Sequence, residues 1–493
     1  MQARSHGAVG AEILTTPHAE AGTPARVIAI IGAGFSGTAV AIALLRQWGA
    51  ADGSLRIVLV DPRDEIGAGV AYATRDYPYP LNVAAGQMSL DSATPGDFLD
   101  YARGVGIHAA PGDYLPRQVY GDYLRARFAE ARSGARANVG CEHRRARALQ
   151  LRRGGDGRWL VWLDDGSALR ADDVVLAFGN PPPATFPLFA AVSQDERIIT
   201  DPWSIGLPAH RDIDSVLIVG SGLTMVDAAL RLAAFRPRVR HIHVLSRHGW
   251  LPEPQSSQPV HATKPGVSQA LAAARGSTRR MVRAFRDLAR SVHEAGGDWR
   301  EVLALARPEL PAQWHSLDRA QRARFLRHVR SLWDVHRHRA PAGPLSAVRS
   351  LERTGVLEIH AGRLEELNVV DDAAEVIWRP RGATRTRAWL VDRVINCTGP
   401  DSRADAQTDP LVQSLLANGL MRSDALSLGI DVASDARTLG GDGRPVDRLY
   451  YIGPWLRARD WEATAVPELR EHAAALARTL IRRNTIEPAL RNC

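Results

Sequence analysis

The stretch VIAIIGAGFSGTAVAIALL, residues 27–45, decides the fold of the first half of the chain. Residues 27–31 form a continuous apolar run rich in β-branched side chains, which is typical of a buried parallel strand. Gly32-Ala33-Gly34-Phe35-Ser36-Gly37 follows directly, and the Ala- and Leu-rich residues 38–45 predict a packed helix. Because G-x-G-x-x-G stands between a strand and a helix, we predict a Rossmann-like, dinucleotide-binding unit.

The residues of this turn have separate expected roles. Gly32 permits the tight turn, Gly34 leaves room for a pyrophosphate against the backbone, and Gly37 lets the helix pack close to the strand. Free N–H groups at Phe35 and Ser36, together with the helix dipole, favour the anionic pyrophosphate. A second strand, residues 56–60, ends in Asp61 and Pro62. The Asp61 carboxylate is placed to bind the ribose hydroxyls of an adenosine.

The length of the chain indicates its domain count, and the distribution of its charge argues against a nucleic-acid-binding protein. A chain of 493 residues has room for two or three domains. The net charge of +8 is carried by arginine, since Lys264 is the only lysine, and these arginines are spread along the chain. Their densest group, residues 275–290, suits a solvated helix face, so we expect no nucleic-acid partner. Nothing in the sequence indicates an oligomeric state.

The cysteines and the N-terminal residues bear on the expected redox chemistry, metal binding and location of the protein. Cys141, Cys397 and Cys493 are isolated and form no C-x-x-C, which argues against a redox disulfide and a cysteine metal site, and we expect no metal. Residues 1–25 are small and polar, without the apolar core of a signal peptide, and predict a disordered tail. With no apolar run long enough to span a bilayer, we expect a cytoplasmic protein without a membrane partner.

A second glycine turn stands in VLIVGSGLTMVDAAL, residues 216–230. Gly220 and Gly222 repeat the pattern, but Met225 stands where the third glycine would be, so the helix is expected to pack less tightly on its strand. The next strand, residues 240–245, ends in Ser246-Arg247-His248 instead of an acid. We predict that this unit binds NADPH and that Arg247 contacts its 2′-phosphate, although a plain surface arginine remains the alternative. The predicted contacts to NADPH are Gly220, Gly222, Leu223, Thr224 and Arg247.

Four later segments are predicted to complete a flavin site. The proline-broken residues 77–90 occupy a position that commonly runs beneath the isoalloxazine in dinucleotide folds, although an ordinary surface crossing is the alternative. Further along the chain, several strands end in glycine and one helix begins. The N-terminus of a helix carries a partial positive charge, which suits the negatively charged pyrimidine edge of reduced flavin. The predicted contacts are Asn82, Val83, Met88, Gly179, Gly399, Pro400, Gly453, Pro454, Thr464, Ala465 and Val466.

The order of these patterns predicts an α/β fold with two Rossmann-like units, the second interrupting the first. Alternating residues 146–176 predict a small antiparallel meander within the first unit. We expect a first part of an FAD-binding domain at 26–212, an NAD(P)H-binding domain at 213–390 and a second part of the FAD-binding domain at 391–493. Residues 264–340 lack a credible strand and predict a helical insert in the second unit.

Several motifs carry a closer resemblance. They are LNVAAGQMSLD at 81–91, YLPRQVYGDYL at 114–124, VGSGLTMVD at 219–227, SRHGWLP at 246–252, WDVHRHR at 333–339 and WEATAVPELR at 461–470. With these motifs the chain resembles the family of FAD/NAD(P)-binding flavoproteins that includes the bacterial FAD-dependent urate hydroxylase, and more distantly the N-hydroxylating flavin monooxygenases. The resemblance covers nearly everything from residue 26 to 475 and implies FAD on the first unit and NADPH or NADH on the second.

The resulting functional hypothesis is a monooxygenase that uses NAD(P)H and O2 to hydroxylate a small polar substrate, a urate-like compound or an amine, through a flavin hydroperoxide. An NADPH oxidase or electron-transferring flavin reductase, and a non-catalytic flavin-binding protein, remain alternatives. No catalytic base is obligatory, because the flavin carries the chemistry. Trp333, His336 and Arg337 share one helix face and are the predicted substrate contacts. The alternative is that Trp333 is core and that Arg337 and Arg339 form structural ion pairs.

Overall fold

The computed structural model describes residues 25–184, 186–205, 213–235, 239–256 and 266–491, the last seven without their side chains. The predicted tail at 1–25 lies outside the described residues except for Ala25, and Cys493 and Lys264 also lie outside them. Among the described helices, none has the length and hydropathy needed to cross a bilayer.

The first stretch of the chain begins with the predicted strand, turn and helix. The helix α1 is buried on nearly all sides because it packs between the sheet and two other helices. The elements are β1 (Arg26–Ile31), α1 (Phe35–Gln47), β2 (Leu55–Val60), α2 (Gly69–Tyr72), α3 (Asp97–Gly104), α4 (Arg117–Ser133), β3 (Val139–Arg144), β4 (Ala148–Arg153), β5 (Trp159–Leu163), β6 (Ala168–Ala171), β7 (Asp173–Leu176), α5 (Pro187–Ala190) and β8 (Ile198–Ile199).

The second stretch contains the second glycine turn and the predicted helical insert. Within its described part, residues 266–340, the insert forms helices and no named strand. The elements are β9 (Ile213–Val219), α6 (Leu223–Ala234), β10 (Val239–Ser246), α7 (Val267–Ala274), α8 (Thr278–Glu294), α9 (Arg300–Ala306), α10 (Leu310–Ser316), α11 (Arg319–His328), α12 (Arg330–Arg337), α13 (Ala342–Arg353), β11 (Leu357–Val370), β12 (Ala373–Pro380), β13 (Arg387–Val391) and β14 (Arg393–Asn396).

The last stretch returns to the first unit and closes it. Its elements are α14 (Pro410–Ala417), β15 (Arg437–Leu439), β16 (Pro445–Tyr451) and α15 (Val466–Arg491). The strand β16 lies parallel to β7, and α15 packs along α1. The end of the chain therefore completes the sheet and the helical layer that its beginning started.

The strands form three sheets, two of them mainly parallel. The first sheet has the order β15-β16-β7-β1-β2-β3, the second β13-β12-β11-β10-β9-β14-β8, and β4-β5-β6 form the predicted antiparallel meander. In the first sheet Ile31 pairs with both Val60 and Leu176. In the second sheet Val219 pairs with both Leu245 and Asn396. The central strands of each sheet therefore end side by side, and the loops that follow them lie at the same edge of the sheet.

The boundaries between the two units differ from the predicted ones. The strand β14 was expected in the second part of the FAD-binding domain, and β8 in its first part, yet both belong to the second sheet. The reason is that short, fully buried parallel strands suit either sheet, and only their partners decide. An ion pair between Arg117 of α4 and Asp227 of α6, 2.6 Å long and largely buried, joins the two units.

Candidate functional site

The first glycine turn has two packed glycines and one open glycine. Gly32 has φ +104°, and a Cβ atom there would lie 2.6 Å from the carbonyl oxygen of Ala177. A Cβ atom at Gly37 would overlap the carbonyl oxygen of Gly32, so only glycine lets α1 pack this close. At Gly34, a Cβ atom would meet nothing nearer than the Cα atom of Gly69, at 3.5 Å. The open position is the one predicted to face the pyrophosphate, and the turn therefore fits such a ligand.

Asp61 lies at the end of β2, as predicted, and holds the glycine turn. Its side chain is almost fully buried, with Oδ2 accepting a 2.9 Å hydrogen bond from the backbone N–H of Ala33. The other oxygen, Oδ1, accepts from the N–H of Arg63 at 3.0 Å. A carboxylate can accept about four hydrogen bonds, so these two leave capacity for hydroxyl donors. Ribose binding by Asp61 and a contact from the neighbouring Pro62 stay predictions.

Phe35 and Ser36 form the buried first turn of α1, and Gly34 is the N-cap residue that precedes it. No side chain caps this helix start, so its first backbone N–H groups have no capping partner among the described residues. Such a helix start is a binding site for an anion. The geometry agrees with the predicted pyrophosphate contact.

The segment predicted to run beneath the isoalloxazine is held between both units. Met88 is buried in the first core, and Val83 packs against that core. The backbone carbonyl of Asn82 accepts a hydrogen bond from Nε2 of Gln255, at 3.1 Å, and Gln255 follows β10 of the second unit. The segment is therefore a junction between the units, and its flavin contacts remain a prediction.

Two segments of the chain that connect the two units run side by side. Gly179 follows β7 of the first sheet, and Gly399 follows β14 of the second. Pro400 pairs with Pro183 in an isolated bridge, and the N–H of Asp401 donates to the Pro182 carbonyl at 3.0 Å. Gly399 and Pro400 were assigned to the first unit, but they continue a strand of the second, so their predicted FAD contact has no support from the sheet topology.

The remaining predicted flavin contacts lie where the chain re-enters the first unit. Gly453 follows β16 with φ +150°, and a Cβ atom there would lie 2.7 Å from the Tyr451 hydroxyl, which explains the glycine. Pro454 begins a short 3-10 helix. The remaining contacts, Thr464, Ala465 and Val466, are at the start of α15, a long helix whose N-terminus carries a partial positive charge. A helix N-terminus at these residues agrees with the predicted contact to the pyrimidine edge of the flavin, and the contact itself stays a prediction.

The second glycine turn repeats the first with one change. Gly220 has φ +110°, and a Cβ atom there would overlap the carbonyl oxygen of Cys397. Gly222 has open space around its missing side chain and precedes Leu223 and Thr224 at the start of α6. Met225, in place of the third glycine, is fully buried in the core of the second unit. The helix therefore packs on its strand through a side chain.

A positively charged group lies at the end of β10, where the first unit has Asp61. Arg247 is exposed, and its Nη2 lies 3.5 Å from the Ser331 hydroxyl. His248 stacks on Trp250 with ring centroids 4.4 Å apart. Partial burial lowers the pKa of His248, and the charges of Arg381 and Arg247 lower it further. Neither arginine has an ion-pair partner within the described part of the chain. Arg381, from the turn after β12, was not found from the sequence.

The predicted substrate residues anchor the insert to the first unit. The indole N–H of Trp333 donates to Oε1 of Glu462 at 2.8 Å, and Nε of Arg337 lies 2.9 Å from its Oε2. Glu462 is buried and precedes α15, whose first turn contains Glu468 near Arg337. These contacts match the alternative that the sequence left open, a buried Trp333 and an ion-paired Arg337. Substrate contact by these residues stays a prediction without support from this geometry.

His336 and Arg339 have other surroundings. His336 packs edge-on against Trp299, and its Nδ1 lies 2.9 Å from the Leu332 carbonyl oxygen. Arg339 has no acidic partner among the described residues, which contradicts the ion pair considered for it. Its Nε donates to Oε1 of Gln255 at 3.0 Å, and Nη1 donates to the carbonyl of His336 at 3.3 Å. Burial lowers the pKa of Arg339 to about 10, which leaves it charged near neutral pH.

The thiols within the described residues are unsuited to redox exchange. Cys397 is buried and Cys141 half-buried, and both are free. Burial raises the pKa of Cys141 to about 12 and raises that of Cys397 as well. Because the thiolate is the nucleophile in disulfide exchange, neither thiol is activated.

Comparisons with known proteins agree with this geometry. Residues 29–181 match the sequence profile of a family described as FAD-NAD(P)-binding. An uncharacterized protein of Mycobacterium tuberculosis is 26% identical over 401 residues, covering 75% of this chain and 73% of its own length. The ornithine hydroxylase of Pseudomonas aeruginosa has a TM-score of 0.61 at 16% identity, covering 93% of this chain and 99% of that chain. The L-lysine 6-monooxygenase of Pseudomonas syringae has a TM-score of 0.60 at 16% identity, with the same coverage.

These comparisons confirm the predicted fold class and the FAD/NAD(P)-binding domain. The chain contains an FAD/NAD(P)-binding domain match over residues 29–181, and it has the α/β fold seen in flavin-dependent monooxygenases. The enzyme class predicted from the sequence, an FAD- and NAD(P)H-dependent oxidoreductase, agrees with both findings. The resemblance to urate hydroxylase is not among them.

Proposed function

We propose that this protein is an FAD-dependent, NAD(P)H-consuming monooxygenase that hydroxylates a small polar substrate. The observation that carries the proposal is the pair of open glycines, Gly34 and Gly222, each at the start of a helix at the edge of its own parallel sheet. One chain with two such turns can hold two dinucleotides, which an enzyme needs for passing electrons from NAD(P)H to a flavin.

The first unit has the groups that would hold FAD. The start of α1 would bind the pyrophosphate, Asp61 the ribose, and the N-terminus of α15 the pyrimidine edge. When bound, FAD supplies the redox chemistry, including the reduction of O2 that oxygen insertion requires. The residues of the chain bind and orient the reactants and exclude water from them.

The second unit has the groups that would select NADPH. Arg247 and Arg381 present two cations without acidic partners among the described residues, next to His248 and Trp250. A 2′-phosphate carries two acidic oxygens that such guanidinium groups bind strongly. The carboxylate that would repel it, found as Asp61 in the first unit, is absent from this strand end.

Arg339 is the best-placed residue for a substrate anion. It is a partly buried cation without an ion-pair partner among the described residues, and Gln255 connects it to the carbonyl of Asn82 in the segment expected beneath the isoalloxazine. Arg337 is unsuited to this role because Glu462 and Glu468 neutralise it. We therefore favour a substrate with a carboxylate or another delocalised anion, a class that includes urate and amino acids.

Two alternatives have less support. An NADPH oxidase or electron-transferring reductase would need the same two nucleotide sites, so only the product separates it from a monooxygenase. The shielded thiols argue against a disulfide reductase. A non-catalytic flavin-binding protein is disfavoured because the second turn keeps its open glycine and its free cations.

The test is a substrate screen that follows NADPH, peroxide and product mass in parallel. Urate, L-ornithine and L-lysine each carry an anionic group that Arg339 could bind, and cadaverine is an amine without a carboxylate. We expect an anionic compound to accelerate NADPH oxidation and to yield a product that is heavier by one oxygen atom. Peroxide as the sole product with every compound would contradict oxygen insertion and favour the oxidase.

The role of Arg339 is tested with Arg339→Gln beside wild type. We expect unchanged FAD content and unchanged NADPH affinity, with KM for the accepted anion raised at least about tenfold, because a charge-assisted hydrogen bond contributes roughly 1.5–3 kcal/mol. Arg339→Lys should recover part of the loss. An unchanged KM in both variants would remove Arg339 from the substrate site while leaving the monooxygenase proposal intact.

A further inference from the structure

Three side chains able to bind a metal meet on one face of the second sheet. His243 of β10 lies opposite Glu358 of β11 in the parallel register, and His360 follows Glu358 by two residues. Because side chains two apart on a strand share a face, all three project from the same side of the sheet. One potential ligand atom from each lies within 4.8 Å of the other two.

The two imidazoles are ready to act as ligands. Nδ1 of His243 is buried and has no hydrogen-bond partner in the described part of the chain, and the buried Nε2 of His360 lies 3.4 Å from Oε2 of Glu358, the third member of the group. Unsatisfied buried nitrogens are uncommon in folded proteins, and each one asks for an explanation. An imidazole nitrogen that serves no other partner can give its lone pair to a cation.

The surroundings restrict what could occupy the group. His243 stacks on Trp389 with centroids 4.8 Å apart, and His360 packs against both Trp389 and Trp378. Glu358 is the exposed member, with 60% of its side chain accessible, and leaves an entry from solvent. The charge of Arg387 also acts on His360, and the Glu358 carboxylate offsets it. A small cation fits between the ligands, whereas an organic ligand would have to displace the indoles.

The geometry points to a binding site for one divalent transition metal of the zinc class, formed by His243, Glu358 and His360. Two imidazoles and one carboxylate are a ligand set that Zn²⁺, Co²⁺ and Ni²⁺ accept, with water in the remaining position. Mg²⁺ and Ca²⁺ prefer oxygen ligands and are not expected here. The site would tie β10 to β11 and does not depend on the flavin chemistry proposed above.

The experiment uses the full chain with its cofactor after treatment with EDTA. Isothermal titration with ZnCl2 should give one equivalent of binding that MgCl2 does not reproduce. His243→Asn and His360→Asn should each weaken Zn²⁺ by roughly tenfold or more. Zn²⁺ should also raise the melting temperature of the wild type and not of these variants, because a ligand of the folded state stabilises it.

Two controls keep the result interpretable. His293→Asn removes an exposed histidine on α8 and should leave Zn²⁺ affinity unchanged. Glu358→Gln changes an exposed side chain, so it should fold normally even if a histidine variant does not, and it should also weaken Zn²⁺. The proposal is overturned if the wild type binds no Zn²⁺, or if Glu358→Gln and the folded histidine variants bind Zn²⁺ as the wild type does.

Discussion

The two glycine turns of this chain share a backbone and differ in two side-chain positions. Gly32 and Gly220 have nearly the same φ, +104° and +110°, and each approaches the carbonyl oxygen after the neighbouring strand. The first turn has a third glycine, Gly37, which presses against Gly32, whereas the second has the buried Met225. The shared part has the geometry that we propose for pyrophosphate binding, and the differing part sets how closely the helix packs behind it.

The ends of the following strands differ in charge. Asp61 is buried and binds the backbone of its own glycine turn, so the first unit holds its cradle rigid. The second unit uses Ser246 here, whose hydroxyl accepts from that of Ser221 at 2.8 Å, and places its charge outside on Arg247. The comparison teaches that the same strand-turn-helix fold can end its second strand in a buried acid that binds the turn or in exposed cations, and we propose that this difference separates the FAD site from the NADPH site.

The largest expected effect comes from filling the two open glycines. Gly34→Val should fold and lose FAD, because a Cβ atom there touches no protein atom closer than 3.5 Å but occupies the predicted pyrophosphate space. Gly222→Val should keep FAD and lose NADPH. Flavin absorbance of the purified proteins and NADPH titrations measure the two effects. A folded Gly34→Val protein with full flavin occupancy would refute the assignment of the first unit.

The helical insert is a further difference between the units. Among the described residues, only the second unit has such an insert, and the insert is anchored on the first unit. Arg337→Ala should lower the free energy of unfolding by about 3 kcal/mol, because removing one partner of a buried ion pair leaves the other charge uncompensated. The value is at the low end of the usual range because Trp333 still donates to Glu462. Urea unfolding with flavin fluorescence as the probe measures it.

Arg339→Ala is the matched control for the insert, two residues further along. It removes a cation without an acidic partner among the described residues, so stability should fall by about 1 kcal/mol, the contribution of an ordinary hydrogen bond to Gln255. If both variants lost equal stability, the pairing of Arg337 with Glu462 would not be what anchors the insert.

The sequence predicts the parts of this architecture that are local. A strand, a glycine turn and a helix are adjacent in the chain, so residues 27–45 suffice to predict the first unit, and Asp61 follows from the next strand. What it misses depends on distant partners. The strand β14 belongs to the second sheet because it pairs with β9 and β8. Arg337 has a structural contact because Glu462 forms an ion pair with it. No local pattern encodes such pairings, because any apolar strand or acid would match.

The charge difference between the strand ends gives the last prediction. Arg247→Ala should weaken NADPH about ten- to a hundredfold and leave NADH nearly unchanged, because a charge-assisted contact to the 2′-phosphate contributes roughly 1.5–3 kcal/mol. Arg381→Ala should act in the same direction. Arg240→Ala is the control, since Arg240 lies near the opposite end of β10 beside Asp214 and should affect neither cofactor. Equal losses for NADPH and NADH would show that the exposed cations do not recognise the phosphate, and the contrast with Asp61 would then concern only the stability of the turn.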